Sequence, residues 1–442
     1  MQNSSMGTVT TVASVFRPLL TAALGTAPPA IRFQFWDGSS LAPADGRTVG
    51  AVVLRSKDAL GHLVWAPGEL GIVRAFVAGD LDFTGDVFTV LRTLQQSAPR
   101  DARLGADAAA KALAVAARVG ALRRRPDPPA QEAHQRGRLH SKHRDSKAIS
   151  HHYDVGNEFY ELVLGESMTY SCARFVSDGD DGRCGPDPAM ALADAQAAKH
   201  DLICRKLGLD REPGMRLLDV GCGWGSMAIH AATRYGARVV GITISAAQAD
   251  LARKRVAAAG VSEQVEIRLQ DYRDLGGEQF DAISSIGMFE HVGGERTAEY
   301  FNTLHALLGP GGRLLNHAIS SPGGSRISSR SFIGRYVFPD GELLDAGVTA
   351  AAMQQAGFEL RDVEALREHY ALTLRAWVAN LQKNWDRAVD LVGVGRARVW
   401  LLYMAGSALG FEDGGIGIHQ VLGVVPDESG KAGMPASRRS WM

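Results

Sequence analysis

The sequence predicts a doubly wound α/β sheet preceded by a small α+β module. Three observations carry this. From Arg216 onward, strand patterns alternate with helical ones, and a glycine loop directly follows the first of those strands. Upstream, an Arg/His-rich polar stretch separates this region from a part with short strands of its own. The chain has 442 residues, more than the roughly 250–300 at which a single core stops growing, so two domains are expected.

Each element has a local reason. The first 10–15 residues are small and polar and are expected to fray. Ile31–Phe35 alternates apolar and polar side chains as a half-buried strand does, Asp37-Gly38 reads as a turn, and Val49–Leu54 as a second strand. Leu70–Ala78 and Val87–Leu94 have helical spacing. Arg123–Arg144 contains RRRPDPP and almost no large apolar side chain, so it cannot bury enough surface to offset ordering entropy and reads as a mobile linker. His134, His140 and His143 belong to this solvated basic tether rather than to a metal site, and its charge suits an anionic membrane.

Beyond it, Leu192–Leu207 is a helix and Arg216–Val220 a strand, followed by helix Met227–Tyr235. Strand Arg238–Ser245 precedes helix Ala246–Ala259; Val265–Gln270, Asp281–Ile286 and Arg313–Ile319 add strands, with helix Arg296–Leu308 before the last. Phe358–Val363 and Ile418–Val425 complete the far edge, for seven strands in all. The expected domains are 1–122, a small α+β unit; 123–145, the linker; 146–428, the α/β domain; and 429–442, a disordered tail.

Composition excludes little and adds some limits. Lys plus Arg equals Asp plus Glu at 48 each, which gives no general case for nucleic-acid binding. The four cysteines, Cys172, Cys184, Cys204 and Cys222, form no CxxC pair, so neither a zinc site nor a disulfide framework is expected and a reducing cytoplasm fits. No signal peptide is read at the N-terminus. No apolar run reaches the roughly 18–20 residues that span a bilayer, so membrane contact is expected to be peripheral.

Leu217–Gly225 reads LLDVGCGWG, placing Gly221, Gly223 and Gly225 right after a buried strand, where glycine permits a tight turn and close backbone approach to a nucleotide-type cofactor. The next two strand ends reach the same crevice. One offers Thr243 and, shortly after it, Gln248; the other offers Gln270, Asp271 and Tyr272, an amide or carboxylate for an adenine edge beside a ring for its face. For Asp271-Tyr272 the alternative is a helix cap and a core tyrosine. After Asp281–Ile286 comes GMFEHVG, whose Glu290-His291 pair stands at the mouth of the site, and His317 interrupts an apolar strand beside it. Upstream, HHYDVGNEFY and MTYSC are expected to fold over the sheet as a lid, with Tyr170 and Ser171 towards the cofactor and Cys172 towards the reaction centre. By composition alone Cys172 reads equally well as a buried inert thiol.

In order, HYDVGNEFY, MTYSCARF, LLDVGCGWG, VVGITIS, QDYRD, GMFEHVG and FPDG resemble the cyclopropane fatty acid synthase family across nearly everything after Ser150. The resemblance implies a Rossmann-like class I methyltransferase fold and S-adenosylmethionine as methyl donor to olefinic acyl chains of membrane phospholipids. It implies donor contacts at Tyr170, Ser171, Gly221, Gly223, Thr243, Gln248, Gln270 and Tyr272. It also implies a bicarbonate base held by Cys172, Glu290, His317, the backbone around Ile319, and Tyr370. A homodimer at the inner face of the cell membrane, with residues 1–122 as an accessory unit for lipid engagement or dimerisation, is a further family expectation. LNHAIS at 315–320 and the tail GSALGFED depart from ring-forming members and look more like the actinobacterial methylene- and methyl-branched fatty acid branch. A methylene product is therefore favoured over a cyclopropane, with a separate reductase able to complete the methyl branch. Methyl transfer to a small molecule or nucleic acid, and a non-enzymatic binding role, are the rival readings.

Overall fold

The computed structural model describes residues 11–24, 29–43, 45–97, 106–122, 125–133, 155–176, 185–339 and 341–441. The chain divides into two compact units. One comprises Met1–Glu132 with Arg330–Phe332 and Gly393–Gly406; the other comprises Ala133–Ser329, Ile333–Val392 and Ser407–Met442.

In the smaller unit, strands β1 (Ile31–Gln34), β2 (Ser40–Leu41), β3 (Gly50–Leu54) and β4 (Leu81–Gly85) form one sheet in the order β2-β1-β3-β4. The alternation read in the sequence sends Ile31, Phe33 and Phe35 into the core. Helices Glu69–Ala78 and Val87–Ser97 stand where their spacing predicts them. Helices Val12–Leu24, Asp58–Trp65 and Ala106–Arg118 and strand β4 were not anticipated, and the first of these begins inside the stretch expected to fray.

The linker expectation is corrected at its start. Residues 125–133 are placed, and Glu132 is buried, its carboxylate accepting from Arg74 Nε and Nη2 at 2.8 and 2.7 Å. A bidentate guanidinium satisfies a buried carboxylate without any apolar side chain, so composition alone could not reveal the anchor. His134, His140 and His143, like Cys184 and His151–Asp154, lie outside the described residues.

The main sheet of the larger unit has seven strands: β5 (Arg216–Val220), β6 (Arg238–Thr243), β7 (Val265–Leu269), β8 (Phe280–Ile286), β9 (Leu308–Ser320), β12 (Glu359–Ala365) and β13 (Gly417–Val424). Between β9 and β12 in sequence, β10 (Ser325–Arg326) and β11 (Glu342–Leu343) form a separate short ribbon. The order is β12-β13-β9-β8-β5-β6-β7, with β13 antiparallel to both neighbours and the central pairs parallel. Consecutive side chains of β5 point to opposite faces: Leu217 joins a core with helices Leu192–Leu207, Ser226–Tyr235 and Ala246–Ala258, while Leu218 joins one with helix Thr297–Ala306. Such two-sided covering is what a doubly wound sheet requires. The chain moves outward from β5 to β7 and then returns to β8 on the other side of β5, so the crevice beyond the carboxyl ends of β5 and β8 is a topological switch point.

Helices Arg367–Lys383, Trp385–Val392 and Val394–Glu412 lie between the last two strands and were not assigned from the sequence. The last is apolar nearly all round (VWLLYMAGSALGF), which removes the one-faced periodicity that marks a helix.

The disordered-tail expectation for 429–442 does not hold. Trp441 is 4% exposed, Met434 packs on the core, Gly433 O accepts from Arg313 Nη2 at 3.1 Å, and Arg438 pairs with the buried Asp362. Long-range partners hold a segment that lacks any periodic pattern. Trp441→Ala is expected to cost about 3 kcal/mol of unfolding free energy, measured by urea titration. An unchanged midpoint and slope would show that the tail contributes nothing.

Among the described residues, no helix is long and apolar enough to cross a membrane.

Candidate active site

Several chain segments line the cleft at the switch point, and four of them carry the residues expected to contact the donor. The first is the glycine loop. Gly221, Gly223 and Gly225 all have positive φ, at 76°, 53° and 79°. The N–H groups of Gly221 and Cys222 both donate to Ile242 O, at 3.0 and 2.9 Å, pinning the loop against the end of β6. Gly221 and Gly223 line the cleft. Gly225, expected to do the same, is not among its lining residues; it precedes helix Ser226–Tyr235, where a Cβ would touch Ala252 at 3.4 Å. Its αL conformation serves the helix start rather than a ligand.

The second and third segments follow β6 and β7. Thr243 Oγ1 donates to Gln248 Oε1 at 2.9 Å, and Ser245 Oγ caps the next helix by accepting from Gln248 N. Gln270 N donates to Thr243 O at 3.0 Å, which couples the two strand ends. Thr243, Gln248, Gln270, Asp271 and Tyr272 all line the cleft. Asp271 is also a cap: its carboxylate accepts from Arg273 N and takes Arg273 Nε and Nη2 at 2.9 and 2.6 Å. Tyr272 packs edge-on against Tyr300. The capping and core roles open in the sequence are therefore present alongside the lining role.

The fourth segment is Met168–Ser171, all four residues of which line the cleft. Met168 holds φ at 49°, a conformation unusual for a side chain of this size. The segment is tied down from below: Ser226 Oγ donates to Ser167 O at 2.5 Å, and Arg255 donates to Ser167 O and Trp224 O at 2.9 and 2.6 Å. Trp224 Nε1 donates to Asn157 Oδ1 at 2.8 Å, tying the glycine loop to the helix before the lid. Tyr170 stands between Tyr160 and Trp377, with ring centroids 5.5 and 5.3 Å away.

Cys172, Glu290, His317, Ile319 and Tyr370 do not line this cleft, but the first three lie next to residues that do. Cys172 follows Ser171; Glu290 lies between Met288 and His291; His317 pairs across the sheet with Ile286. Backbone contacts gather the five. Glu290 Oε1 accepts from Ile319 N at 2.7 Å. Ile319 pairs with Ile418, whose carbonyl accepts from Leu366 N, and Leu366 O in turn accepts from Cys172 Sγ at 3.6 Å and Tyr370 N at 3.1 Å. Tyr370 stacks on Phe411 at 4.7 Å and meets Trp377 edge-on at 6.0 Å, so Trp377 is shared with Tyr170.

The electrostatics follow from burial. The Cys172 thiol is pushed far up and stays protonated, and burial holds His317 neutral at physiological pH. Glu290 is raised to about 7, because the cost of desolvating its carboxylate outweighs the hydrogen bond from Ile319. Its Oε2 and both ring nitrogens of His317 are sealed from solvent and have no protein partner. Buried groups of this kind are normally satisfied, so each suits a small polar ligand. The His317 ring N–H can donate to a small oxyanion, and the Glu290 carboxylate can accept from one that itself carries a proton. The Ile319 N–H, implied as a further contact, is instead donated to Glu290 and orients that carboxylate.

Lys199 and Asp219 are among the lining residues missed in the sequence. Lys199 is fully buried on helix Leu192–Leu207, and Asp219, in β5, is 2% exposed with Oδ1 accepting from Ser284 Oγ at 2.8 Å. A signal existed: Gln196, Lys199 and Lys206 are polar at positions that helical spacing places on the buried face.

The mixed seven-stranded sheet and the glycine-loop cleft at its switch point define a class I methyltransferase that binds S-adenosylmethionine. The model of the mycolic acid cyclopropane synthetase family matches residues 140–421, and the chain belongs to that family. It is 44% identical over 424 residues to a "Probable fatty acid methyltransferase" of Mycobacterium tuberculosis, covering 93% of this chain and 94% of that one. It is 38% identical to the tuberculostearic acid methyltransferase of the same organism over 64% of this chain and 65% of that one. A solved mycolic acid cyclopropane synthase in complex with SAH and CTAB aligns with a TM-score of 0.56 at 34% identity, covering 63% of this chain and 97% of that one.

Proposed function

We propose that the protein methylates the cis double bond of an unsaturated acyl chain in a membrane phospholipid and releases a methylene-branched chain. The observation that carries this reading is that Glu290 Oε2 and both His317 ring nitrogens are sealed and without protein partners beside residues that line the donor cleft. The double bond's π electrons take the methyl group as the C–S bond breaks onto sulfur, leaving S-adenosylhomocysteine and a carbocation. Water would capture that cation, so the chemistry needs a dry site holding a base. The row of rings formed by Tyr160, Tyr170, Trp377, Tyr370 and Phe411 offers apolar walls with negative faces to a cation. A bicarbonate bound at Glu290 and His317 would supply the base and a counter-charge. Ile319 fixes the Glu290 carboxylate, while Cys172 and Tyr370 close the site around Leu366.

Proton loss from the added methyl group with ring closure gives a cyclopropane; a hydride shift before proton loss gives a methylene branch. The departures at 315–320 and the similarity to a tuberculostearic acid methyltransferase support the second outcome. A separate reductase would then saturate the branch. The acceptor makes this a peripheral enzyme of the inner face of the cell membrane, working as a homodimer. Exposed Trp65, Ile72 and Leu113 on the smaller unit suit its role in lipid engagement.

Incubation with labelled donor and oleoyl phospholipid, followed by mass spectrometry, tests the transfer. The two products have equal mass, so NMR must locate the added carbon. Olefinic methylene protons are expected; cyclopropane protons would overturn the product assignment, and no label in lipid would overturn the acceptor.

A further inference from the structure

Lys199 has no part in the chemistry above, yet its ammonium sits against the donor cleft. Its Nζ donates to Ser171 Oγ at 2.9 Å, and Gln196, from the same helix face, donates through Nε2 to Ser171 O at 2.9 Å. Because the Ser171 oxygen accepts from Lys199, its own proton is available to an acceptor in the cleft. Asp219 lines the same cleft, and its Oδ2 is sealed from solvent with no protein partner. An ammonium bonded to a hydroxyl and a carboxylate lining the same cleft together complement a zwitterion.

Topology says which part of the donor meets this pair. Gln270–Tyr272 follows β7, at one edge of the sheet, and suits the adenine. Helix Leu192–Leu207 packs on β8 and β9, on the other side of β5. A donor laid across the carboxyl ends of β7, β6 and β5 therefore carries its amino-acid head towards Lys199.

We propose that Lys199 is a donor-positioning residue, whose ammonium, with the Ser171 hydroxyl, receives the α-carboxylate of S-adenosylmethionine while Asp219 faces the α-ammonium. This rests on the donor assignment made above. Binding here orients the sulfonium without touching the acceptor, as a contact remote from the transferred methyl group can.

The charged and titratable groups facing Lys199 are Cys172, Asp219, His230 and His317, with His200 and Cys204 on its own helix. Burial lowers the lysine to about 7, against the pull of Cys172, Asp219 and Cys204. The ammonium is therefore present below that pH and lost above it, and a bound carboxylate would restore it with uptake of a proton.

Calorimetric titration with S-adenosylhomocysteine and with 5′-methylthioadenosine, which lacks the amino-acid head, tests this in wild type, Lys199→Met and Lys199→Arg. Lys199→Met is expected to weaken S-adenosylhomocysteine at least tenfold at pH 7 and 5′-methylthioadenosine less than twofold, with partial recovery in Lys199→Arg. Wild type is expected to lose affinity for S-adenosylhomocysteine between pH 7 and 9 and to take up a proton on binding it there; Lys199→Met is expected to do neither. Equal weakening of both ligands, or no weakening of either, would overturn the inference. Failure of wild type to bind S-adenosylhomocysteine at all would instead strike the donor assignment.

Discussion

Glu290→Gln is expected to lower turnover by two orders of magnitude or more, the scale of a positioned acid–base group, while leaving affinity for S-adenosylhomocysteine within about threefold. The separation follows from the geometry. The carboxylate is beside the donor cleft but does not line it, and the Ile319 N–H that holds Oε1 in place can hold an amide oxygen equally well. What the amide lacks is the charge on Oε2. Burial raises Glu290 to about 7, so wild-type turnover should fall as pH drops below 7 and the carboxylate is protonated, while the residual rate of the Gln variant should not follow that titration.

The same shift makes a stability prediction of defined sign. A carboxyl group that titrates near 4.5 unfolded and about 7 folded binds more protons in the native state between those values. Its contribution is complete below about pH 4.5 and is lost as pH rises through 7. Glu290→Gln should therefore be more stable than wild type at pH 8, by roughly 3 kcal/mol at most, and about equal to it at pH 4.5. Loss of donor affinity in step with turnover, or no stability difference between the two pH values, would remove Glu290 from the reaction centre.

The second large effect is expected at the glycine loop. Gly221→Val should weaken S-adenosylhomocysteine at least a hundredfold. The residue has φ +76°, a region costing an ordinary side chain roughly 1–2 kcal/mol, and a Cβ there would lie 3.1 Å from Met288, another lining residue. Relief of that contact moves the loop or Met288 into the space the donor uses. Gly225→Ala is the internal comparison, since that glycine also has positive φ but does not line the cleft. It should lose about 1 kcal/mol of stability with donor affinity nearly unchanged. Equilibrium dialysis and urea unfolding of both variants measure the two effects. Equal donor loss in both would mean that the loop acts as one rigid unit, not through a particular glycine.

Much of the central sheet was legible because its signals are local. Arg216–Val220 and Leu192–Leu207 occur with the residues expected, and the glycine loop stands where its spacing put it. Lys199 was illegible for the opposite reason. A lysine in a helix is usually solvated, and only the packing of that helix against the sheet shows that this one is not. Asp219 is similar, the one polar residue in the buried part of its strand, and its neighbours Ser284 and Lys199 come from distant segments.

By itself the sequence determined the alternating strands and helices, the glycine loop and the ordered motifs of the family, because each depends on residues within one or two turns of one another. Only the tertiary structure decided that Gly225 belongs to a helix start, that the Ile319 N–H is committed to Glu290, and that the tail is held by Trp441 and Arg438. Those outcomes turn on which group finds a partner once water is excluded. Partner choice in a buried site is set by groups far apart in the chain.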